Sequence, residues 1–186
     1  MKKLIVSIIT VCFLAIVSCS KSNKFEIEKG KVGEITTKTT VEELKKIFKK
    51  DSIATSLSEG ALGDNYFQED DKYLIYEKGG KHLLTITPKQ PLDSTSTIKS
   101  IEIHDNRYTT ETDLNLDANF VKINANNNIN KIESTFSTAI LFINDFNATV
   151  TITKEELGMR EFSTQKVSLE QIPDLAKIKT FVIWFN

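Results

Sequence analysis

The chain has 186 residues, of which 40% are hydrophobic and 26% charged, and its formal net charge at pH 7 is −1. Its length suits one domain with its own core, and its charge balance excludes a nucleic-acid partner recognised through a basic surface. Cys12 and Cys19 are the two cysteines. Beyond residue 19 the chain therefore offers no disulfide, cysteine-metal site or thiol nucleophile.

The N-terminus has the three parts of an export signal. Residues 1–3 carry two lysines, residues 4–15 are mainly apolar, and Ile16-Val17-Ser18-Cys19 follows as a cleavage site. The apolar run is shorter than the roughly 20 residues that a membrane-spanning helix needs, and the polar residues 20–24 follow it at once. We therefore expect residues 1–18 to be removed as a signal peptide.

The cleavage site resembles the lipobox of bacterial lipoproteins, in which an aliphatic residue, a small or aliphatic residue and a small residue precede a cysteine. Ile16, Val17, Ser18 and Cys19 fit this pattern. The resemblance implies that the lipoprotein signal peptidase recognises Ile16, Val17 and Ser18 and that the Cys19 sulfur carries a diacylglycerol. Two or three acyl chains, at about 0.8 kcal/mol per buried methylene, make release from a membrane slow.

The lipobox resemblance also implies a location. The chain is expected in the bacterial cell envelope, anchored to a membrane through its N-terminal lipid. Ser20 and Lys21 differ from the aspartate pattern that retains lipoproteins at the inner membrane of enterobacteria, which favours the outer membrane. The abundance of Lys, Asn, Ile and Thr is similar to that of lipoproteins from Bacteroidetes.

The lipidated cysteine and a short polar tether occupy residues 19–24, and the exported domain occupies residues 25–186. Residues 25–28 alternate apolar and charged side chains and predict a first strand. Thr40 and Glu43 have the spacing of a capping box, and the apolar positions over residues 41–48 follow a helical period. Residues 52–63 contain two glycines and few large apolar side chains, so they predict a loop.

The middle of the domain predicts a hairpin followed by another strand. Residues 73–76 and 83–87 are rich in β-forming side chains, and Gly79 and Gly80 between them accept the positive φ that a tight turn needs. Residues 98–103 alternate in the manner of a strand.

The second half predicts a short helix and then a meander of strands. Asp117 is expected to cap a helix that carries Phe120 and Val121, and residues 124–130, with five asparagines, predict a solvated loop. Asparagine amides also bind amides and sugars in recognition sites, so a binding role is the alternative. Further strands are predicted at residues 131–136, 139–143, 148–153 and 180–185, the last being central. The predicted fold is a single α+β domain of mostly antiparallel sheet with one or two short helices.

Metal binding is the first chemistry that the sequence argues against. Residues 113–119 have oxygen side chains at alternate positions, as at the start of a calcium loop, but Ala118 replaces the required glycine and Asn124 replaces the twelfth-position glutamate. Glu69-Asp70-Asp71 is acidic, but three consecutive side chains point in different directions. We therefore expect no metal site and no cofactor.

Catalysis likewise lacks a recognisable motif. His82 lies in the hairpin turn, and His104 ends a strand beside Asp105, to which it is expected to pair loosely on the surface. No nucleophile elbow or comparable presentation of a serine accompanies them. The sequence therefore assigns no catalytic residue.

Two tripeptides, Asp51-Ser52-Ile53 and Asp93-Ser94-Thr95, resemble the acceptor sites for protein O-glycosylation in Bacteroidetes. Both fall in predicted loops. The resemblance implies that Ser52 and Ser94 carry glycans.

The sequence leaves two classes of function open. The first is a non-enzymatic envelope lipoprotein that binds another envelope protein or a small ligand, or has a structural role. The alternative is a hydrolase that cleaves envelope glycans or esters with an acidic pair such as Asp70 and Glu102, because two carboxylates about 5–10 Å apart suffice for glycoside cleavage.

Overall fold

The computed structural model describes residues 23–58 and 70–185. The predicted signal peptide, the lipobox and Cys19 lie outside the described residues. The elements, in chain order, are β1 (Glu26–Glu28), β2 (Lys31–Val32), β3 (Ile35–Thr36), α1 (Val41–Ile47), β4 (Ser52–Ser56), β5 (Lys72–Tyr76), β6 (His82–Pro88), β7 (Ile98–Ile103), β8 (Thr109–Thr110), α2 (Phe120–Asn126), β9 (Ile129–Ser134), β10 (Thr138–Ile143), β11 (Ala148–Thr153) and β12 (Thr180–Trp184). A 3₁₀ turn covers Leu169–Gln171.

The strands form two sheets. The larger has eight antiparallel strands in the order β4-β5-β6-β7-β12-β11-β10-β9, and the smaller has the order β3-β2-β1-β8, with only the β1–β8 pair parallel. The prediction of a single α+β domain, mostly antiparallel with two short helices, is confirmed. No helix among the described residues has the length and apolar character that a bilayer crossing requires, since α1 and α2 have seven residues each.

The core lies on one side of the eight-stranded sheet. Strand residues alternate between the two sides, and the antiparallel register places apolar residues of neighbouring strands opposite each other. One fully buried row therefore crosses six strands, from β5 to β10. Its members are Ile75, Leu84, Ile103, Phe181, Val150 and Leu141.

Helix α1 and the small sheet contribute to the same core. The Glu43 carboxylate accepts a hydrogen bond from the Thr40 backbone N–H at 2.9 Å, as expected for a capping box. Val41, Leu44 and Phe48 are buried against the core, which confirms the predicted apolar face. Ile27 on β1 is also buried in this cluster.

Three local predictions are wrong. Ser52–Ser56 forms the edge strand β4 and not a loop, because it pairs with β5 in full register. Helix α2 is capped by Asn119, whose side chain accepts from the Lys122 N–H, and not by Asp117. The asparagine run is not one loop, since α2 extends to Asn126 and β9 begins at Ile129.

Strand β12 should carry a large share of the stability, because it pairs with β7 on one side and β11 on the other. Replacing the fully buried Phe181 by alanine should cost about 3–5 kcal/mol of unfolding free energy in urea. Val182→Ala, a smaller change at the next, half-buried position, should cost less than about 1.5 kcal/mol. Equal losses of unfolding free energy from the two substitutions would show that Phe181 and Val182 do not lie on opposite sides of β12.

Candidate functional site

The side of the eight-stranded sheet opposite the core is called the outer face below. Its residues alternate with the core residues, and several are apolar although they lie on the solvent side. Leu74, Phe142 and Val182 are half-buried there and do not belong to the hydrophobic core. One row of the outer face, in strand order, consists of Leu74, Thr85, Glu102, Val182, Thr149 and Phe142.

A groove of about 280 Å³ lies at one end of the outer face, across β9 to β12. Phe142 on β10 lies directly opposite Thr149 on β11, and Trp184 lies two residues beyond Val182, the residue of β12 that faces Thr149. The Trp184 indole N–H donates a hydrogen bond to Thr149 Oγ1 at 3.0 Å. This bond fixes the orientation of the indole ring over the sheet.

Three asparagines line the rim of this groove. Asn147 has a positive φ of 51° in the β10–β11 turn, its backbone carbonyl accepts from the Trp184 N–H at 2.9 Å, and its side-chain amide donates to the Trp184 carbonyl at 2.8 Å. Asn130 is the extra residue of a β-bulge, because Lys131 and Ile129 pair with consecutive residues of β10. Asn130 and Asn144 are exposed, and within the described ranges their side-chain amides make no hydrogen bond.

The two histidines form a stack on the outer face near the other end of the sheet. The rings of His82 and His104 are 3.9 Å apart at 17°, and the Tyr76 ring covers His82 at 4.7 Å. The Thr85 hydroxyl lies 2.9 Å from His104 Nε2 and 3.2 Å from His82 Nε2. His82 Nε2 is also 3.1 Å from the Leu84 carbonyl, which can only accept, so His82 Nε2 carries the proton and Thr85 donates to His104.

This stack lacks the geometry of a catalytic triad. In a triad the carboxylate holds the imidazole nitrogen that does not face the hydroxyl. Here the Glu102 carboxylate is 4.0 Å from His104 Nε2, the nitrogen that already faces Thr85. Among residues 23–58 and 70–185 no group of three His, Cys, Asp or Glu side chains is arranged to hold a metal.

Asp105 does not pair with His104 as the sequence suggested. It is buried, accepts hydrogen bonds from the Arg107 side chain and forms an ion pair with Lys81 at 3.0 Å. Burial alone would raise the pKa of Asp105, but the bonds from Arg107 and Lys81 outweigh burial and lower this pKa to about 2. Arg107 also binds Glu77, at 2.8 Å, and its guanidinium lies 4.3 Å from the centre of the Phe25 ring. Through Arg107, the Asp105 carboxylate therefore connects Phe25, just before β1, to the large sheet.

Two residues of the acidic run 69–71, Asp70 and Asp71, are described, and both are bonded within the fold. Glu69 lies outside the described residues. Asp71 is fully buried and accepts hydrogen bonds from the backbone N–H groups of Ser58 and Leu92 at 2.8 and 2.6 Å. Burial opposes ionisation of Asp71, but these bonds hold its pKa below the ordinary value. Asp70 pairs with Lys99 at 3.0 Å, whereas its suggested partner Glu102 lies beside His104.

The remaining sequence candidates lie on the surface. Ser52 is exposed at the start of the edge strand β4, and Ser94 is exposed in the connection between β6 and β7. Residues 113–119 form no helix or strand, and the carboxylate of Asp113 is 3.8 Å from Lys122 Nζ. O-glycosylation of the two serines stays a prediction.

A second groove, of about 310 Å³ and mainly apolar, lies between α1 and the strands β4 and β5. Leu44, Ile53 and Tyr73 contribute to its walls, and Leu57 lies at its edge. Residues 59–69, which follow in the chain, lie outside the described residues.

Comparisons with known proteins support the fold. No protein-family model matches the chain, and no curated protein matches it. Among solved structures, the chain is similar to the uncharacterized protein yfeY from Escherichia coli, with a TM-score of 0.51 and 10% sequence identity, over 87% of this chain and 99% of that one. At this identity the similarity concerns the fold alone.

The imidazole stack should make stability depend on pH. Burial lowers the pKa of His104, the neighbouring His82 lowers it further, and Glu102 opposes both. The pKa of His104 is therefore lower in the folded protein than its unfolded value of about 6.5. As the pH falls, the unfolded state takes up the proton first, so the free energy of unfolding decreases. The urea unfolding free energy should therefore fall between about pH 7.5 and about pH 5.5, before ordinary carboxylates titrate. His104→Gln should flatten this dependence, and an unchanged slope in the variant would contradict the assignment.

Proposed function

We propose that the mature chain is a lipid-anchored protein of the bacterial cell envelope, placed at the outer membrane, which binds a partner through the outer face of its sheet and performs no chemistry. The partner is another envelope protein or a small ligand. The proposal rests on the lipobox at Ile16 to Cys19 and on the character of the outer face.

The observation that carries the binding role is the set of ordered apolar side chains on the solvent side of the sheet. An antiparallel sheet with one solvated face normally places polar residues there. Here Leu74, Val182, Phe142 and Trp184 occupy that side, outside the core cluster. Val182, Trp184 and Phe142 lie around Thr149, whereas Leu74 is separated from them by Thr85 and Glu102. Apolar side chains grouped on a polar surface are typical of interaction sites.

The contacts at the N-terminus fit an anchored domain. Residues 19–24 span at most about 20 Å when fully extended, so a lipid on Cys19 keeps the domain close to the membrane surface. Lys24 Nζ pairs with Asp51 at 3.1 Å, and the Phe25 ring packs between the Arg107 guanidinium and the edge of the Tyr108 ring, 5.0 Å away. The chain is therefore fastened where the tether ends.

The anchor can be tested with the two cysteines of the chain. Cys19→Ser should abolish incorporation of labelled palmitate and move the protein out of the membrane fraction, because only the thiol accepts the diacylglycerol. Cys12→Ser is the matched control, since Cys12 lies in the signal peptide, and it should be labelled like the wild type. Labelling that persists in Cys19→Ser would refute the lipobox.

The binding surface can be tested by capture from the native envelope. We expect the lipidated protein to retain a stoichiometric partner or ligand, and Val182→Lys to lose it because a charge then stands in the middle of the outer face. Leu175→Lys is the control, because Leu175 is 74% exposed and lies outside that face. Both variants should unfold at urea concentrations close to that of the wild type.

An enzymatic role predicts a different result. Purified protein would then hydrolyse glycan or ester substrates, and replacing one carboxylate or His104 without unfolding the protein would stop the reaction. That outcome would overturn the binding proposal in favour of the hydrolase.

A further inference from the structure

We propose that the groove between Phe142 and Trp184 binds a neutral saccharide that carries an acetamido group, such as an N-acetylhexosamine unit of a glycan. The inference rests on the proposed function, in which the outer face is the binding surface, and names a ligand class for one part of that face. It follows from the rings, the amides and the absence of charge in the groove lining.

The two aromatic rings supply the apolar part of the site. They belong to strands separated by one intervening strand and are offset along it by two residues, because Thr149 pairs with Phe142 on one side and with Val182 on the other, so their backbones lie about 12 Å apart. One face of a pyranose presents only C–H groups, and these pack on aromatic side chains. Trp184 is held at its indole nitrogen by Thr149 and at its backbone by Asn147, so its position is set before a ligand arrives.

The asparagine amides supply the polar part. Each side-chain amide offers one carbonyl acceptor and two N–H donors, and those of Asn130 and Asn144 are not engaged with other described residues. An acetamido group offers the complementary carbonyl and N–H, and sugar hydroxyls satisfy the remaining donors and acceptors. The bulge at Asn130 and the turn at Asn144 place these amides on the rim beside the rings.

The charge and size of the groove narrow the ligand class. None of its lining residues is charged: they are Asn130, Phe142, Ile143, Asn144, Asn147, Ala148, Thr149 and Trp184. Two cations lie beside the lining: Lys131 Nζ is 5.2 Å from the centre of the Phe142 ring and pairs with Glu133, and Lys29 Nζ is 3.5 Å from the Asn144 backbone carbonyl. A cationic ligand would therefore find no partner in the groove, whereas a neutral sugar needs none. A volume of about 280 Å³ lies at the small end of ligand sites and suits one or two sugar rings.

The chain provides its own reporter for this site, because Trp184 is its single tryptophan. We expect chitotetraose, the β-1,4-linked tetramer of N-acetylglucosamine, to change the Trp184 fluorescence in a saturable manner at concentrations up to about 10 mM. Cellotetraose has the same linkage and no acetamido groups, and it should bind at least about 5-fold more weakly because the amide hydrogen bonds are lost.

Substitutions at other positions leave the Trp184 reporter intact and measure how much each side chain contributes to chitotetraose binding. Phe142→Ala should weaken chitotetraose binding about 3- to 10-fold, and Asn130→Ala and Asn144→Ala should each weaken it by a similar factor. Phe136→Ala and Asn124→Ala are matched controls, because both side chains are exposed and lie outside the groove. The controls should bind like the wild type, and circular dichroism should be the same for all five variants.

The results that overturn the inference are specific. No fluorescence change with chitotetraose, or equal binding of cellotetraose, would refute an acetamido-sugar site. Equal loss in Phe142→Ala and Phe136→Ala would show that the sugar binds elsewhere. If capture finds a partner that depends on Val182 while chitotetraose fails to bind, the proposed function stands and the saccharide site falls. If chitotetraose binds while Cys19→Ser stays labelled, the saccharide site stands and the proposed anchor falls.

Discussion

The pairing of β12 with both β7 and β11 is the constraint on which the rest of the structure depends. Without β12 the large sheet consists of two separate units, β4 to β7 and β9 to β11. Phe181 and Ile183 are fully buried, and they join the apolar rows of the two units into one core. The same strand sends Val182 and Trp184 to the other side of the sheet. One five-residue strand thus completes the core and supplies the centre of the outer face.

The elements with strong periodic signals could be predicted from sequence, because their patterns match the geometry of the elements. The helix after Thr40, the hairpin with paired glycines and the terminal apolar strand were recognisable in this way. Ser52–Ser56 was missed because its side chains are small and polar, and its strand state comes from pairing with β5. Asn126 and Ile129 show the same limit, because backbone pairing and capping within the fold overrode the loop preference of asparagine.

The candidate site was harder to predict than the fold because it depends on register. The separation of 22 positions between His82 and His104 gives no hint that their rings stack, and only the pairing of β6 with β7 brings them together. Asp105, adjacent to His104 in sequence, points into a different network of Arg107 and Lys81. Asn130 reaches the groove because of a bulge that the sequence does not mark. Consecutive residues of a strand point to opposite sides of the sheet and have different neighbours. Adjacency in the sequence was therefore a poor guide to which side chains meet.

The place of β12 in the order of the strands has a consequence for folding. Residues 180–184 are translated after the other seven strands of the large sheet, so that sheet cannot close until they emerge, and the two incomplete units keep unpaired edges until then. A central strand that is translated after all of its neighbours therefore delays the formation of one continuous core until both units have been made.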